Sequence, residues 1–175
     1  TGACGPKYCV AAGGYPDAVA YTIRPTSISR QKLPGAAPNE HELDGAACGQ
    51  PGCLVTGWTY DTGEVRHPTA WTRATGETGW TSENLPEPAL PDDVEFQRVT
   101  DTTCTPLACV AVGWYASTEP RGNVGQSAIW VWQGGHWHVI TPQVPADTTT
   151  GENQLYDVSC MDSRCGIFGW YRTGS

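Results

Sequence analysis

The stretch Cys104-Thr105-Pro106-Leu107-Ala108-Cys109-Val110-Ala111-Val112-Gly113-Trp114-Tyr115 recurs four times along the chain in recognisable form. Its frame is a C-x4-C pair and a β-prone run, with Gly four residues past the second cysteine. The pairs are Cys4/Cys9, Cys48/Cys53, Cys104/Cys109 and Cys160/Cys165, and the glycines are Gly13, Gly57, Gly113 and Gly169. Trp follows the Gly in three copies (Trp58, Trp114, Trp170), with Gly14 in its place in the first. Tyr comes next in three (Tyr15, Tyr115, Tyr171), with Thr59 the exception. Leu43, Val99 and Leu155 each stand five residues before a first cysteine. First cysteines lie 44, 56 and 56 residues apart, a period that marks repeat architecture.

Two further blocks follow each of the first three frames at variable distance. One centres on Tyr21, Trp71 or Trp130; the other carries Ile28, Trp80 or Trp137 and runs into a Pro-rich exit at Leu33–Pro34, Leu85–Pro88 or Thr141–Pro145. A full unit therefore holds four short runs, here a (into the first cysteine), b (out of the second), c and d. They are rich in Val, Thr, Trp and Tyr and bounded by Gly, Pro or Asp, as strands are. Four strands in about 50 residues, repeated, is the pattern of a propeller blade, because stacked twisted sheets cover each other's faces. In run b, Val110, Val112 and Trp114 point one way and Ala111, Gly113 and Tyr115 the other. Both faces are apolar or small, as in a sheet packed on each side. The recurring Gly is read as permitting close approach of a neighbouring backbone.

The expectation is an all-β, β-propeller-like array of four-stranded sheets, about three and a half repeats with one disulfide per repeat. It forms a single repeat domain over 1–175, with units near 1–38, 39–91, 92–147 and a partial 148–175. The fourth unit stops after run b. Three readings stay open: a fragment of a longer propeller, two copies closing a seven-bladed ring, or an open stack.

Composition agrees. Gly (21) and Pro (14) are too frequent for long helices, and the eight Trp and seven Tyr against two Phe make the apolar content amphipathic. A net charge of −8 disfavours nucleic acid, whose phosphates need a basic footprint. No apolar run approaches the eighteen residues of a spanning helix, so membrane insertion is not expected. No signal-type leader opens the chain, so an exported form would already have lost it.

A C-x4-C between adjacent strands sets the cysteines at facing positions of a tight hairpin, within disulfide reach of about 4.4–6.8 Å between Cα atoms. Zinc sites use closer pairs with a second pair nearby. Four local disulfides are expected, and with them an extracellular setting. The pattern resembles the cysteine-hairpin repeat proteins secreted by actinobacteria, whose units read V-S-C-x4-C-x-A-V-G, then a strand, W-x-G-x-x-W and a Pro exit. Val158-Ser159-Cys160, Cys109–Gly113 and Trp132-Gln133-Gly134-Gly135-His136-Trp137 carry that resemblance, and Ala74–Trp80 departs from it. It implies a propeller-like exported protein and no particular activity.

Function is less legible. Catalytic motifs of the G-x-S-x-G and H-E-x-x-H kinds are absent, and no enzyme, cofactor or metal is expected. His136 and His138 share a strand face but have no third ligand nearby in sequence. Aromatics outside the repeated frame, Trp80, Trp132 and Trp137, are candidate sugar-stacking platforms, together with Tyr115 and His136. The loop from b to c varies most in length, and variable loops on rigid scaffolds carry binding residues. Its third copy adds Glu119, Arg121 and Asn123. The leading expectation is a secreted lectin-like module for a glycan or cell-surface polysaccharide. The alternative is an adaptor, inhibitor or targeting subunit for a secreted protein partner in an exported, toxin-type complex; a glycoside hydrolase ranks below both. A homodimer or another chain could complete the propeller, and the unpaired edge of the fourth unit invites β-augmentation.

Overall fold

The computed structural model describes residues 1–88, 94–117, 125–143, 148–162 and 164–173. Among them every regular element is a strand. The first sheet is β1 (Gly2–Cys4), β2 (Cys9–Gly13), β3 (Val19–Arg24) and β4 (Ser27–Lys32). The second is β5 (His41–Cys48), β6 (Gly52–Tyr60), β7 (Arg66–Ala74) and β8 (Thr81–Asn84). The third is β9 (Val94–Cys104), β10 (Cys109–Ser117), β11 (Gly125–Gln133) and β12 (His136–Ile140), and the fourth is the pair β13 (Thr148–Met161) and β14 (Arg164–Thr173). Each is an antiparallel meander whose spatial order follows the sequence, so runs a, b, c and d are neighbouring strands.

The hairpin chemistry explains the cysteines. In the first three units the residues flanking a two-residue turn bond to each other: the Gly5 amide to the Tyr8 carbonyl, Gly49 to Gly52 and Thr105 to Ala108. The Thr105 hydroxyl also accepts from the Leu107 and Ala108 amides, rigidifying that turn. The next pair outward is the closely spaced, non-hydrogen-bonded one, and both its members are cysteine. All four disulfides are formed, Cys4–Cys9, Cys48–Cys53, Cys104–Cys109 and Cys160–Cys165, with Cα separations of 3.9–4.1 Å. This is tighter than the expected range because the partners are directly opposed in register. Four disulfides match an oxidising environment.

The repeated Gly has a specific cause. In the last three sheets strand a carries a bulge, at Asp44, Thr100 and Tyr156, beside the pairs Leu43↔Gly57, Val99↔Gly113 and Leu155↔Gly169. A Cβ on Gly57, Gly113 or Gly169 would collide with the Glu42, Arg98 or Gln154 carbonyl. The expected close approach is therefore within the sheet, from strand a. Gly13 meets nothing, because β1 is too short to reach it.

The sheets stack in chain order: β5 packs on β1 and β2, β9 on β5, β6 and β7, and β13 on β9, β10 and β11. Among the described residues three separate cores lie between successive sheets. Val10, Leu33, Val55, Trp71 and Trp80 fill the first, and Leu54, Trp58, Leu85, Val99, Tyr115 and Trp130 the second. Val110, Val112 and Val158 centre the third. The two faces of run b are used as expected, with Val110 and Val112 against the fourth sheet and Ala111 and Tyr115 against the second.

The exits tie one sheet to the next. Trp71 and Trp130, both fully buried, hold the same register in strand c, opposite Val55 and Ala111. Each donates its indole N–H across the interface to the carbonyl of an exit proline, Pro34 or Pro86, at 2.8 Å. The residues before those prolines, Leu33 and Leu85, are buried under the indoles' sheets. Bulge residues also cross: Arg98 donates to Asp44 at 2.8 Å, and the Thr100 hydroxyl to the Leu155 carbonyl at 2.8 Å.

Candidate functional site

The far end of strand b in the second unit opens onto a cleft. Its walls are Tyr60 at the end of β6, Glu64, Val65 and Arg66 in the connection to β7, and Glu87 in the exit after β8. Glu95 and Phe96 of β9 and Tyr115 of β10 close it. The cleft encloses about 540 Å³ and lies between the second and third sheets, away from the disulfide turns.

The connecting loop is held by Asp61. Its Oδ1 accepts from the Gly63 and Val65 amides at 2.8 and 3.0 Å, and its Oδ2 lies 3.1 Å from Nε2 of His67. The Val65 amide bond, then the His67 and Gly63 bonds, keep the Asp61 carboxyl below the usual carboxylate range. The other His67 nitrogen stands 3.6 Å from Glu87, so loop and exit are joined through one imidazole. Arg66 lies over the rings of Trp58 and Tyr60, at 4.7 and 5.7 Å, and donates to the Tyr60 hydroxyl at 3.2 Å. This stacking presents a cation along one wall while its neighbours present carboxylates.

The floor is aromatic. Phe96 meets Tyr115 edge-on at 5.4 Å, and Tyr115 leans on Trp130 at 6.3 Å. Tyr115 is 3 % exposed, and its hydroxyl has no hydrogen-bond partner among the described residues. Burial, then the nearby Glu87 charge, push that phenol well above its ordinary value, so it stays a neutral donor. A buried hydroxyl without a partner costs about 1–3 kcal/mol. The arrangement offers three carboxylate acceptors, one guanidinium, one unspent donor and apolar ring surface.

Of the residues marked from sequence, Tyr115 lines this cleft. Trp80 does not: it is buried between the first and second sheets beneath the Arg73 guanidinium, 4.8 Å from its ring. Trp132 and Trp137 pair across β11 and β12 and pack against the core facing the second sheet. Trp80 is thus buried, while Trp132 and Trp137 are half-buried. His136 is exposed at the β11–β12 turn and contributes nothing to the cleft. Glu119, Arg121 and Asn123 lie outside the described residues.

Sequence reasoning missed Tyr60, Glu64, Val65, Arg66, Glu87, Glu95 and Phe96. The usable signal was the lengthened b–c connection of the second unit, which brings in Glu64 to Arg66; Glu87 and Glu95 come from an exit and a following strand that meet only when sheets stack. Comparison with known proteins finds no matching family model, curated protein or solved structure.

Proposed function

We propose that the chain is a secreted, lectin-like binding module with its sheets arranged like propeller blades, taking a neutral or amino-bearing saccharide in the cleft between the second and third sheets. The observation that carries this reading is the Tyr115 hydroxyl, buried with no partner among the described residues, beside three carboxylates and the Tyr60 and Phe96 rings. Sugar hydroxyls donate to carboxylates and accept from a phenol, while the apolar face of a pyranose lies on aromatic carbon. Three glutamates against one arginine, on a chain of net charge −8, select against acidic polysaccharides. Export is supported by the four disulfides and by the resemblance to secreted repeat proteins. The reading is of binding without turnover.

Calorimetric titration with a tetramer of N-acetylglucosamine, a tetramer of glucosamine and a trimer of galacturonate tests it. Binding is expected for at least one of the first two and not for the third. Tyr115→Phe should leave thermal stability unchanged or raise it, since an unsatisfied group is removed, yet weaken binding about tenfold. Silence with the first two probes, or a Tyr115→Phe variant that binds like the parent, overturns the reading; release of a fluorogenic leaving group from matching glycosides would replace binding with hydrolysis.

A further inference from the structure

The cleft does not end at Tyr60. A second cavity, of about 340 Å³, lies against the same ring and the same Glu64, with Glu40 and Asp61 as its other walls. Tyr60 and Glu64 belong to both spaces, so the two adjoin. Glu87 and Glu95 line the first alone, Glu40 and Asp61 the second alone, and carboxylates therefore continue from one into the other.

Much of this charge is not spent inside the protein. Asp61 is committed to its loop and to His67, and Glu87 stands 3.6 Å from the same imidazole. Among the described residues the side chains of Glu40, Glu64 and Glu95 have no hydrogen bond or ion pair, and all three are exposed to an incoming cation. Arg66 does not neutralise them: its guanidinium lies over the Trp58 and Tyr60 rings and donates to the Tyr60 hydroxyl. Glu64 also adopts φ 61°, a left-handed backbone that favours glycine, although Gly63 is its neighbour. The fold bears a local cost and thereby sets a carboxylate on the boundary of the two spaces. The Tyr115 hydroxyl, 3 % exposed and with no partner among the described residues, supplies the first space with a donor.

We infer that the two spaces form one extended site for an oligosaccharide of free-amine sugars, of the glucosamine class, with an ammonium held at Glu64 where they meet. This rests on the saccharide reading and narrows it, since that reading admits the acetylated sugar equally. An ammonium brings three donors to a run of carboxylate acceptors, and such charge-assisted bonds are the strong ones. An acetamide brings one N–H and an acceptor of its own, which the glutamates cannot meet. Lysine chains carry the same ammonium on a flexible stem and lose more freedom on ordering than a sugar ring does.

Calorimetry on the full chain compares tetramers of glucosamine, N-acetylglucosamine and lysine. The glucosamine tetramer is expected to bind at least about tenfold tighter than its acetylated counterpart, by an advantage that shrinks as sodium chloride is raised. Glu40→Gln, which alters the second space alone, should weaken the glucosamine tetramer about tenfold with the melting temperature unchanged. Glu64→Gly should raise the melting temperature, because glycine suits that backbone, yet weaken the same tetramer at least about tenfold. Parental affinity in Glu64→Gly overturns the inference, and parental affinity in Glu40→Gln confines the ligand to the first space and overturns it too. Equal binding of the two sugar tetramers, both weakened by Tyr115→Phe, leaves the saccharide reading standing and removes the amine preference. Binding of neither sugar, or tighter binding of the lysine tetramer than of either, removes both.

Discussion

Asp44 is the residue on which local geometry and solution behaviour meet most directly. The bulge in β5 turns its side chain toward the third sheet, where Arg98 donates to Oδ1 while Oδ2 has no partner among the described residues. Its side chain is 1 % exposed and that of Arg98 52 %, so the ion pair is buried on one side only. Desolvation outweighs the arginine and, with Glu42 adding repulsion, pushes the carboxyl up to about 6. A carboxyl whose folded value lies above its unfolded value binds a proton on folding. Its ionised form therefore costs the native state stability, by at most about 3 kcal/mol, as pH rises from 4 through 6. Asp101 acts in the same sense, raised by burial and by Asp157 despite the bond it accepts from the Val158 amide. Asp17 and Asp61 are held low, so their contributions are lost only below about pH 4, outside this window. Chemical denaturation should find the chain more stable at pH 5 than at pH 7.5, and Asp44→Asn should flatten that difference. An unchanged pH slope in the variant would remove Asp44 as its source.

Among the elements, strand c is where one register position has three fates. Trp71 and Trp130 each lie under a preceding sheet, with the indole N–H on a proline carbonyl. Tyr21 holds that register in β3, opposite Ala11, and is 36 % exposed because no described sheet covers it. Trp71→Phe or Trp130→Phe should each cost about 2–3 kcal/mol, from the lost packing and a stranded buried carbonyl. Tyr21→Phe should stay within about 0.5 kcal/mol. Equal losses at all three positions in urea titrations would mean that the exits do not couple the sheets. The contrast also marks how far sequence alone reaches. The C-x4-C frame, the fourteen runs and the two-sided packing of run b are legible, since hairpin spacing and period-2 alternation are local. Of the three tryptophans marked as platforms, Trp80 is taken into the core between the first two sheets, while Trp132 and Trp137 are partly covered by the core facing the second sheet. An aromatic outside the repeated frame then looks unexplained by packing while in fact it faces the neighbour. Glu87 and Glu95 could not be joined from spacing, since they approach only through contact between units.

At the scale of the whole molecule, stability is shared unequally along a one-dimensional stack. Among the described residues the main contacts between sheets run between neighbours in chain order, so total stability is close to a sum of sheet and interface contributions. The second and third sheets have an interface on each side, and every residue of β6 but Tyr60 is buried. Among the described residues the fourth has two strands and one interface, centred on Val110, Val112 and Val158, with β14 mostly exposed. Opening β13 and β14 together breaks one small core and the Thr100, Asp101 and Asn153 contacts to the third sheet; opening β6 breaks two large cores. Native-state amide exchange against denaturant should then resolve a low-energy opening of β13–β14, while β6 and β10 exchange only with the highest-energy opening. Val158→Ala removes roughly 2 kcal/mol of burial at that end interface. It should lower the opening free energy of β13–β14 by that amount and leave the β6 amides almost unmoved. Exchange isotherms that merge into a single opening for all four sheets, or a Val158→Ala effect of equal size in β6, would mean that the stack folds as one indivisible unit rather than sheet by sheet.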